Sequence, residues 1–157
     1  MRQLTTGFLA LTALLGLTAP LQAQETVSPP VTPRCTAALA AAQNRIESGR
    51  QIKVKVYRSN LSKSYADHPL NRPVSYSFLL RGPANRTIMN SPKFMTALAT
   101  DVVQACETVS LVTFTVAGTD YMHLLGLMPG GQVEAFDCLE MTGNTEERLT
   151  WGQRFCL

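Results

Sequence analysis

Apolar residues recur at helical spacing in two separate stretches of the chain. The first predicted helix runs from about Pro33 to Ser48, with Thr32 placed to cap it and Gly49 placed to end it. Its apolar side consists of Cys35, Leu39, Ala42 and Ile46. The second predicted helix begins after Ser91 and runs from Pro92 to about Cys106. Its apolar side consists of Phe94, Met95, Leu98, Val102 and Cys106.

The stretches between and after these helices show the patterns of β-strands. Apolar and polar residues alternate in Gln51–Arg58 and Val74–Arg81, whereas Val109–Val116 is rich in β-branched residues and typical of a strand buried on both faces. Two further strands, Tyr121–Met128 and Gln132–Cys138, flank a hairpin turn at Pro129-Gly130-Gly131. The order of elements predicts an α+β fold, a small antiparallel or mixed sheet of about five strands with two helices on one face.

The first residues have the pattern of an export signal. Arg2 precedes an apolar run over residues 7–19, and Leu21-Gln22-Ala23 matches a cleavage site. We expect residues 1–23 to be a signal peptide, 24–34 a flexible proline-rich lead-in and 35–157 a single domain. Cleavage after Ala23 would leave 134 residues, released to the periplasm or secreted, with no segment inserted in the membrane.

All four cysteines follow the predicted cleavage site, as expected of a protein from an oxidising compartment. Four cysteines allow three pairings. We favour Cys35–Cys106, because antiparallel helices would bring those two ends together, and Cys138–Cys156, which would hold the C-terminal tail with Trp151 against the last strand. A metal site or a redox pair is the alternative, but no Cys-x-x-Cys motif is present. We therefore expect structural disulfides, no metal and no cofactor.

Charge is distributed unevenly along the chain. Residues 45–93 contain ten Lys or Arg against two acids, a net charge of +8, and residues 94–157 contain two against eight, a net charge of −6. Folding would either bring the halves together and neutralise them or separate a basic from an acidic face. The small overall charge of +3 and the few aromatic residues argue against nucleic acid as a partner.

Alternation in the first two strands places basic and hydroxyl side chains on the sheet face away from the helices. The candidate binding residues on that face and beside it are Lys53, Lys55, Tyr57, Arg58, Arg72 and Arg81. Such a surface suits an acidic envelope polymer, bound by charge-assisted hydrogen bonds, or another protein. The alternative is that lysines on an edge strand merely prevent sheets from pairing edge to edge.

Two other functions remain open from the sequence. A small extracytoplasmic hydrolase or transferase would use His123 or His68, each of which has an aspartate nearby, but alternation would place Asp120 and His123 on opposite faces of a strand. A secreted enzyme inhibitor would present the long loop from Ser59 to Pro73, which could then be shortened without loss of the fold. Because no catalytic signature is present, we expect a non-catalytic binding protein.

Several short motifs carry a resemblance to a known group of proteins. They are Asn71-Arg72-Pro73, Ser91-Pro92, Ser110-Leu111-Val112-Thr113-Phe114, Thr119-Asp120-Tyr121, Phe136-Asp137-Cys138 and Trp151-Gly152 followed by Cys156. In these motifs the chain is similar to a group of small secreted cyanobacterial proteins to which no activity is assigned. The resemblance implies a periplasmic or secreted bacterial setting and no particular catalytic or binding residue.

Overall fold

The computed structural model describes residues 30–65, 67–140 and 149–156. The predicted signal peptide, residues 1–23, and the first part of the predicted lead-in lie outside the described residues. Over the described residues the chain forms, in order, α1 (Pro33–Glu47), β1 (Lys53–Asn60), β2 (Val74–Arg81), α2 (Asn85–Met89), α3 (Pro92–Ala105), β3 (Val109–Val116), β4 (Met122–Leu127), β5 (Val133–Ala135), β6 (Asp137–Leu139) and β7 (Gln153–Phe155).

Both predicted helices are confirmed. The hydroxyl of Thr32 accepts a hydrogen bond of 3.2 Å from the Cys35 N–H at the start of α1. Beyond the end of this helix, Gly49 has a φ of 67°, a conformation that favours glycine. Ser91 is the N-cap residue of α3, although its hydroxyl makes no capping bond and donates to the Thr87 carbonyl at 2.7 Å.

The sheet is mixed, in agreement with the predicted α+β class. Its strand order is β1-β2-β3-β4-β5. The β2–β3 pair is parallel, because α2 and α3 form the crossover between these strands, and the other neighbours are antiparallel. The short helix α2, which the sequence did not reveal, buries Ile88 and Met89 in this crossover.

The prediction that Gln132–Cys138 forms a single strand is wrong. Residues of the Gln132–Cys138 stretch divide between β5, in the main sheet, and β6, which pairs in parallel with β7 in a separate two-stranded sheet. The division occurs at Phe136, whose N–H donates to the Leu124 carbonyl at 2.9 Å, whereas the next N–H, of Asp137, donates to the Gly152 carbonyl at 2.7 Å. The first strand also lies two residues later than expected, at Lys53–Asn60.

The helices pack on one face of the sheet, as predicted. Phe78 and Phe114 from neighbouring central strands stack with their ring centroids 5.4 Å apart beneath the helices, and both are fully buried. The same core includes Ile46 of α1 and Leu98 of α3, each with no exposed surface. Among the described residues, no helix is long and apolar enough to cross a membrane.

Both predicted disulfides are present. Cys35 and Cys106 join the first turn of α1 to the residue that follows α3, with their Cα atoms 4.6 Å apart. Cys138 of β6 and Cys156 join the second sheet to the residue after β7, with Cα atoms 5.1 Å apart. The first bond links the start of α1 to the end of α3, and the second links the C-terminal tail to the second sheet.

The outer edge of β1 is closed at one residue by side chains of α1. Gln43 donates through Nε2 to the Val54 carbonyl at 3.1 Å. The N–H of Val54 donates to Oε1 of Glu47 at 2.7 Å. These two bonds satisfy the backbone groups that a neighbouring strand would otherwise use.

Candidate functional site

The sheet face opposite the helices, which we call the distal face, carries a group of exposed cations at one end. Strand alternation turns Val54 and Val56 of β1 toward the helices, so that Lys53, Lys55 and Tyr57 lie on the distal face. Lys53 and Lys55 are exposed, and Tyr57 keeps 49% of its surface accessible.

Arg81 of β2 belongs to the same group. It lies directly opposite Lys53 in the antiparallel register and is also exposed. Lys53, Lys55 and Arg81 form what we call the cationic cluster. Opposed side chains begin about 5 Å apart, and residues two apart on a strand are separated by about 7 Å. The three positively charged side chains are therefore attached to the backbone within one short segment of the sheet.

None of the three members of the cationic cluster forms an ion pair among the residues that the structure describes, and the nearby carboxylate of Glu47 is bonded to the N–H of Val54. Like charges directly opposite each other on paired strands destabilise the sheet, on the order of a few tenths of a kcal/mol. An anionic ligand would relieve this repulsion and gain several charge-assisted hydrogen bonds. The cluster is thus suited to a ligand with more than one negative group.

Hydroxyl side chains continue the distal face beyond the cations. Ser77 lies opposite Tyr57 on one side and opposite Thr113 on the other. Thr115 follows two residues later on β3, so it shares this face. Within the described residues, these hydroxyls make no side-chain hydrogen bond. Thr113 is buried, whereas Ser77 and Thr115 are partly exposed and able to donate to and accept from a polar ligand.

Two of the predicted binding residues lie elsewhere. Arg58 of β1 alternates with Tyr57 and lies off the distal face, although it is exposed. Arg72 is half-buried, and its guanidinium donates to the carbonyls of Val103, at 3.1 Å, and Val109, at 2.8 Å. Arg72 thereby joins the end of α3 to the start of β3. The structure brings together Lys53, Lys55, Tyr57 and Arg81 and leaves out these two arginines.

The other end of the distal face is covered by an aromatic cluster of Tyr65, Phe136 and Trp151, whose rings meet edge to face with centroids 5.0 to 5.5 Å apart. The cluster lies over Gly126 of β4, where any side chain would collide with the Phe136 ring. The absence of a side chain at this position is therefore what lets Phe136 pack against the strand.

Hydrogen bonds fasten the loop after β1 to the C-terminal tail beside the aromatic cluster. The hydroxyl of Tyr65 donates to the Gln153 carbonyl at 2.8 Å, and the N–H of Trp151 donates to Oδ2 of Asp67 at 2.9 Å. The indole N–H of Trp151 donates to the Leu127 carbonyl at 2.9 Å. Since Tyr65 is buried, shortening the Ser59–Pro73 loop would remove a packed side chain from this cluster and should cost stability.

A hollow of about 360 Å³ lies beside the start of β4, at the edge of the sheet where β5 does not pair with that strand. Asp120, Tyr121, Met122 and Arg154 line it. Met122 is opposite Thr115 in the register and shares its face. Arg154 comes from β7, a strand of only three residues that shows no usable pattern in the sequence, so sequence reasoning did not connect it with the basic face.

A second hollow, of about 420 Å³, lies beside Trp151 and is lined mainly by apolar residues that include Leu70, Met128 and Pro129. Leu70 is 87% exposed and precedes Asn71, whose φ is 63°.

The two histidines do not form a catalytic site with their neighbouring aspartates. Nε2 of His123 lies 3.4 Å from the hydroxyl of Tyr121, and the residue opposite His123 in the register is Phe114, which packs beneath the helices. Burial lowers the pKa of His123, and the positive charge of Arg154 lowers it further. His68 lies 3.5 Å from the Ser62 hydroxyl, at the outer limit of a hydrogen bond.

The other ring nitrogen of His68 lies 3.0 Å from the Pro69 carbonyl. A carboxylate that would orient this ring, as in a nucleophilic triad, is therefore missing from that position. In the described ranges, no group of three or more His, Cys, Asp or Glu could hold a metal ion. The geometry favours ligand binding at the cationic cluster over chemistry at either histidine.

Comparisons with known proteins identify no relative of this chain: no protein-family model, curated protein or solved structure matches it.

Proposed function

We propose that this protein is an exported, non-catalytic binding protein that holds a carboxylate-bearing glycan of the cell envelope on the distal face. The observation that carries the proposal is the cationic cluster, three exposed cations gathered on one sheet face with no acid paired to them among the described residues. A carboxylate polymer supplies repeated negative groups at a spacing that several of these cations would contact at once.

A glycan fits this surface better than other polyanions. Tyr57 offers an exposed ring beside Lys55, and aromatic rings with a polar edge provide a surface on which a sugar packs while its hydroxyls form hydrogen bonds. Ser77 and Thr115 add uncommitted hydroxyls in the neighbouring strands. Nucleic acid would call for stacking rings along a basic groove, and Tyr57 is the one aromatic side chain of β1 and β2 on this face.

The competing explanation, that the lysines only protect an edge strand, is weakened by α1. Val54 lies between Lys53 and Lys55, and its outward backbone groups are already bonded to side chains of that helix. Protection against edge pairing is therefore provided at this position without the lysines. Arg81, moreover, belongs to β2, which is not an edge strand.

The export part of the proposal rests on the predicted signal peptide with cleavage after Ala23 and on the two disulfides, which persist in oxidising compartments. The resemblance to small secreted cyanobacterial proteins agrees with a periplasmic or released location. The intact mass of the protein from an extracytoplasmic fraction, measured with and without reduction and alkylation, tests this part. A chain that begins at Met1, or that carries free thiols, would contradict it.

The binding experiment compares two triple variants with equal change of net charge. In the test variant, Lys53, Lys55 and Arg81 are replaced by glutamate. In the control variant, Arg34, Arg86 and Lys93 are replaced by glutamate; these are exposed cations of the three helices, away from the distal face. Binding of both to immobilised polygalacturonate is measured over a range of salt concentrations, with circular dichroism to confirm that each variant is folded.

We expect the test variant to lose polygalacturonate binding at least tenfold, and the control variant to change it by less than about threefold, since distant surface charges are screened by salt. The salt dependence should also become shallower in the test variant, because fewer charge contacts remain. Equal losses in both variants would show that only net charge matters. Unchanged binding in the folded test variant, or no binding by the wild-type protein, would refute the proposal.

A further inference from the structure

We propose that the bound glycan crosses the strands, from the cationic cluster on β1 and β2 to Arg154 at the far side of the sheet, so that Arg154 is a second anion-binding residue. The inference rests on the proposed function and adds to it a direction, a minimum ligand length and a residue that the sequence did not suggest.

A continuous row of side chains runs in this direction. Lys55 is opposite Leu79, Leu79 is opposite Thr115, and Thr115 is opposite Met122. Residues paired in register point to the same face, so all four lie on the distal face. Three interstrand steps of about 4.8 Å separate the two ends of the row by roughly 14 Å.

The row ends at the hollow that Arg154 lines together with Met122. Arg154 lies in β7, whose backbone pairs with β6 and is further joined to it through the Cys138–Cys156 disulfide nearby. The guanidinium therefore belongs to an anchored segment. Cations thus stand at both ends of the row, with Leu79, Thr115 and Met122 between them offering apolar contact and a hydroxyl.

The other direction along the sheet is closed. Following the strands away from Lys53 and Lys55 leads to the aromatic cluster, which covers Leu111 and Gly126. A chain laid along β3 or β4 would meet this cluster, whereas a chain laid across the strands meets the hollow. The shape of the distal face thus favours the crosswise path.

Asp120 lines the same hollow as Arg154 and gives the proposal a second consequence. A carboxylate of the ligand that approaches Arg154 is repelled by the carboxylate of Asp120. Neutralising Asp120 should therefore strengthen binding of a ligand that reaches the hollow, and neutralising Arg154 should weaken it. Neither change should affect a ligand that is too short to extend that far.

The test uses the intact protein and a size series of oligogalacturonates from the monomer upward, with affinities measured by calorimetry. The variants are Arg154→Gln, Asp120→Asn and, as a control for the loss of one distant positive charge, Arg34→Gln. We expect wild-type affinity to rise steeply at the oligomer length that spans about 14 Å. At that length and above, Arg154→Gln should lower affinity about fivefold to tenfold, Asp120→Asn should raise it about twofold to fivefold, and Arg34→Gln should leave it within twofold.

Below the spanning length, all three variants should match the wild type. If Arg154→Gln weakens short and long oligomers equally, or leaves the long ones unchanged, the crosswise path is wrong. The test variant with glutamate at Lys53, Lys55 and Arg81 separates the two proposals, because it should lose oligomers of every length. Loss in that variant without a length-dependent effect of Arg154 would preserve the proposed function and overturn this inference alone.

Discussion

Replacing Gly126 by alanine tests whether the contact beneath the aromatic cluster is as close as the structure indicates. The new Cβ would lie 2.7 Å from Cζ of Phe136, with another ring atom closer still, and 3.1 Å from the Trp151 ring. Both rings would have to move, and overpacking of this kind costs roughly 1–3 kcal/mol. Alanine also removes the backbone freedom of glycine in a strand, which restores about 0.5–1 kcal/mol. We expect a net loss of about 1–2 kcal/mol in the free energy of unfolding.

The measurement is urea unfolding followed by fluorescence and by circular dichroism. Trp151 is the single tryptophan of the chain, so its fluorescence reports on the perturbed cluster, whereas circular dichroism reports on the whole fold. Gly130→Ala is the matched control, because the Cβ there would meet only the flexible end of the Gln132 side chain. Its effect should stay within about 0.5 kcal/mol.

A double-mutant cycle with Phe136→Ala isolates the steric part of the effect. Phe136→Ala alone should cost about 3–5 kcal/mol, since it empties a buried site. In that background only the Trp151 ring, 3.1 Å from the new Cβ, remains to be displaced, so Gly126→Ala should cost much less than in the wild type. If Gly126→Ala is as stable as the wild type, or costs the same with and without the Phe136 ring, the close packing is not what holds the cluster together.

Three other changes have defined outcomes. Arg72→Met keeps much of the side-chain length but removes both hydrogen bonds to backbone carbonyls, and calorimetry should show a loss of about 1–3 kcal/mol; full stability would mean that those bonds are not needed. Replacing Cys138 and Cys156 by serine should lower the free energy of unfolding by about 3 kcal/mol, measured by urea titration, because the bond closes a loop over a sequence separation of 18. Because the pKa of His123 is lowered in the folded state, the unfolded chain takes up a proton first as pH falls through about 6.5, so stability should decrease there. His123→Gln should reduce this pH dependence in thermal melts at several pH values, and an unchanged profile would contradict the assignment.

The parts of the fold that follow a repeating pattern were predictable. Val74–Arg81 and Val109–Val116 match the observed strands to the residue, because each combines regular alternation or β-branched composition with clear ends. The Cys35–Cys106 disulfide followed from the predicted antiparallel packing of the two helices. By contrast β6 and β7 are three residues each, too short for any periodicity, and their pairing depends on Phe136 leaving one sheet for another.

Only the part of the candidate site that depends on strand alternation could be predicted from the sequence. Alternation placed Lys53, Lys55, Tyr57 and Arg81 on one face, because their positions depend only on the strand period. Arg72 lies in a loop, and no local rule indicates that its guanidinium bonds to the end of a helix. Arg154 lines the hollow beside Met122 only because distant parts of the chain meet there.

The hydrogen bonds of Tyr65 and Asp67 to the C-terminal tail set an order in which the molecule can be assembled. The residues that they bond to lie 88 and 84 residues further along the chain. The loop after β1 therefore lacks these two hydrogen bonds until the C-terminal tail has been synthesised. The Cys35–Cys106 bond lies over a core whose last member is Val133, so that core is complete before the tail has been synthesised. Folding should therefore proceed in two stages, with the helix-covered core oxidised first, and a chain interrupted between them would keep its first disulfide while leaving one side of its sheet uncovered.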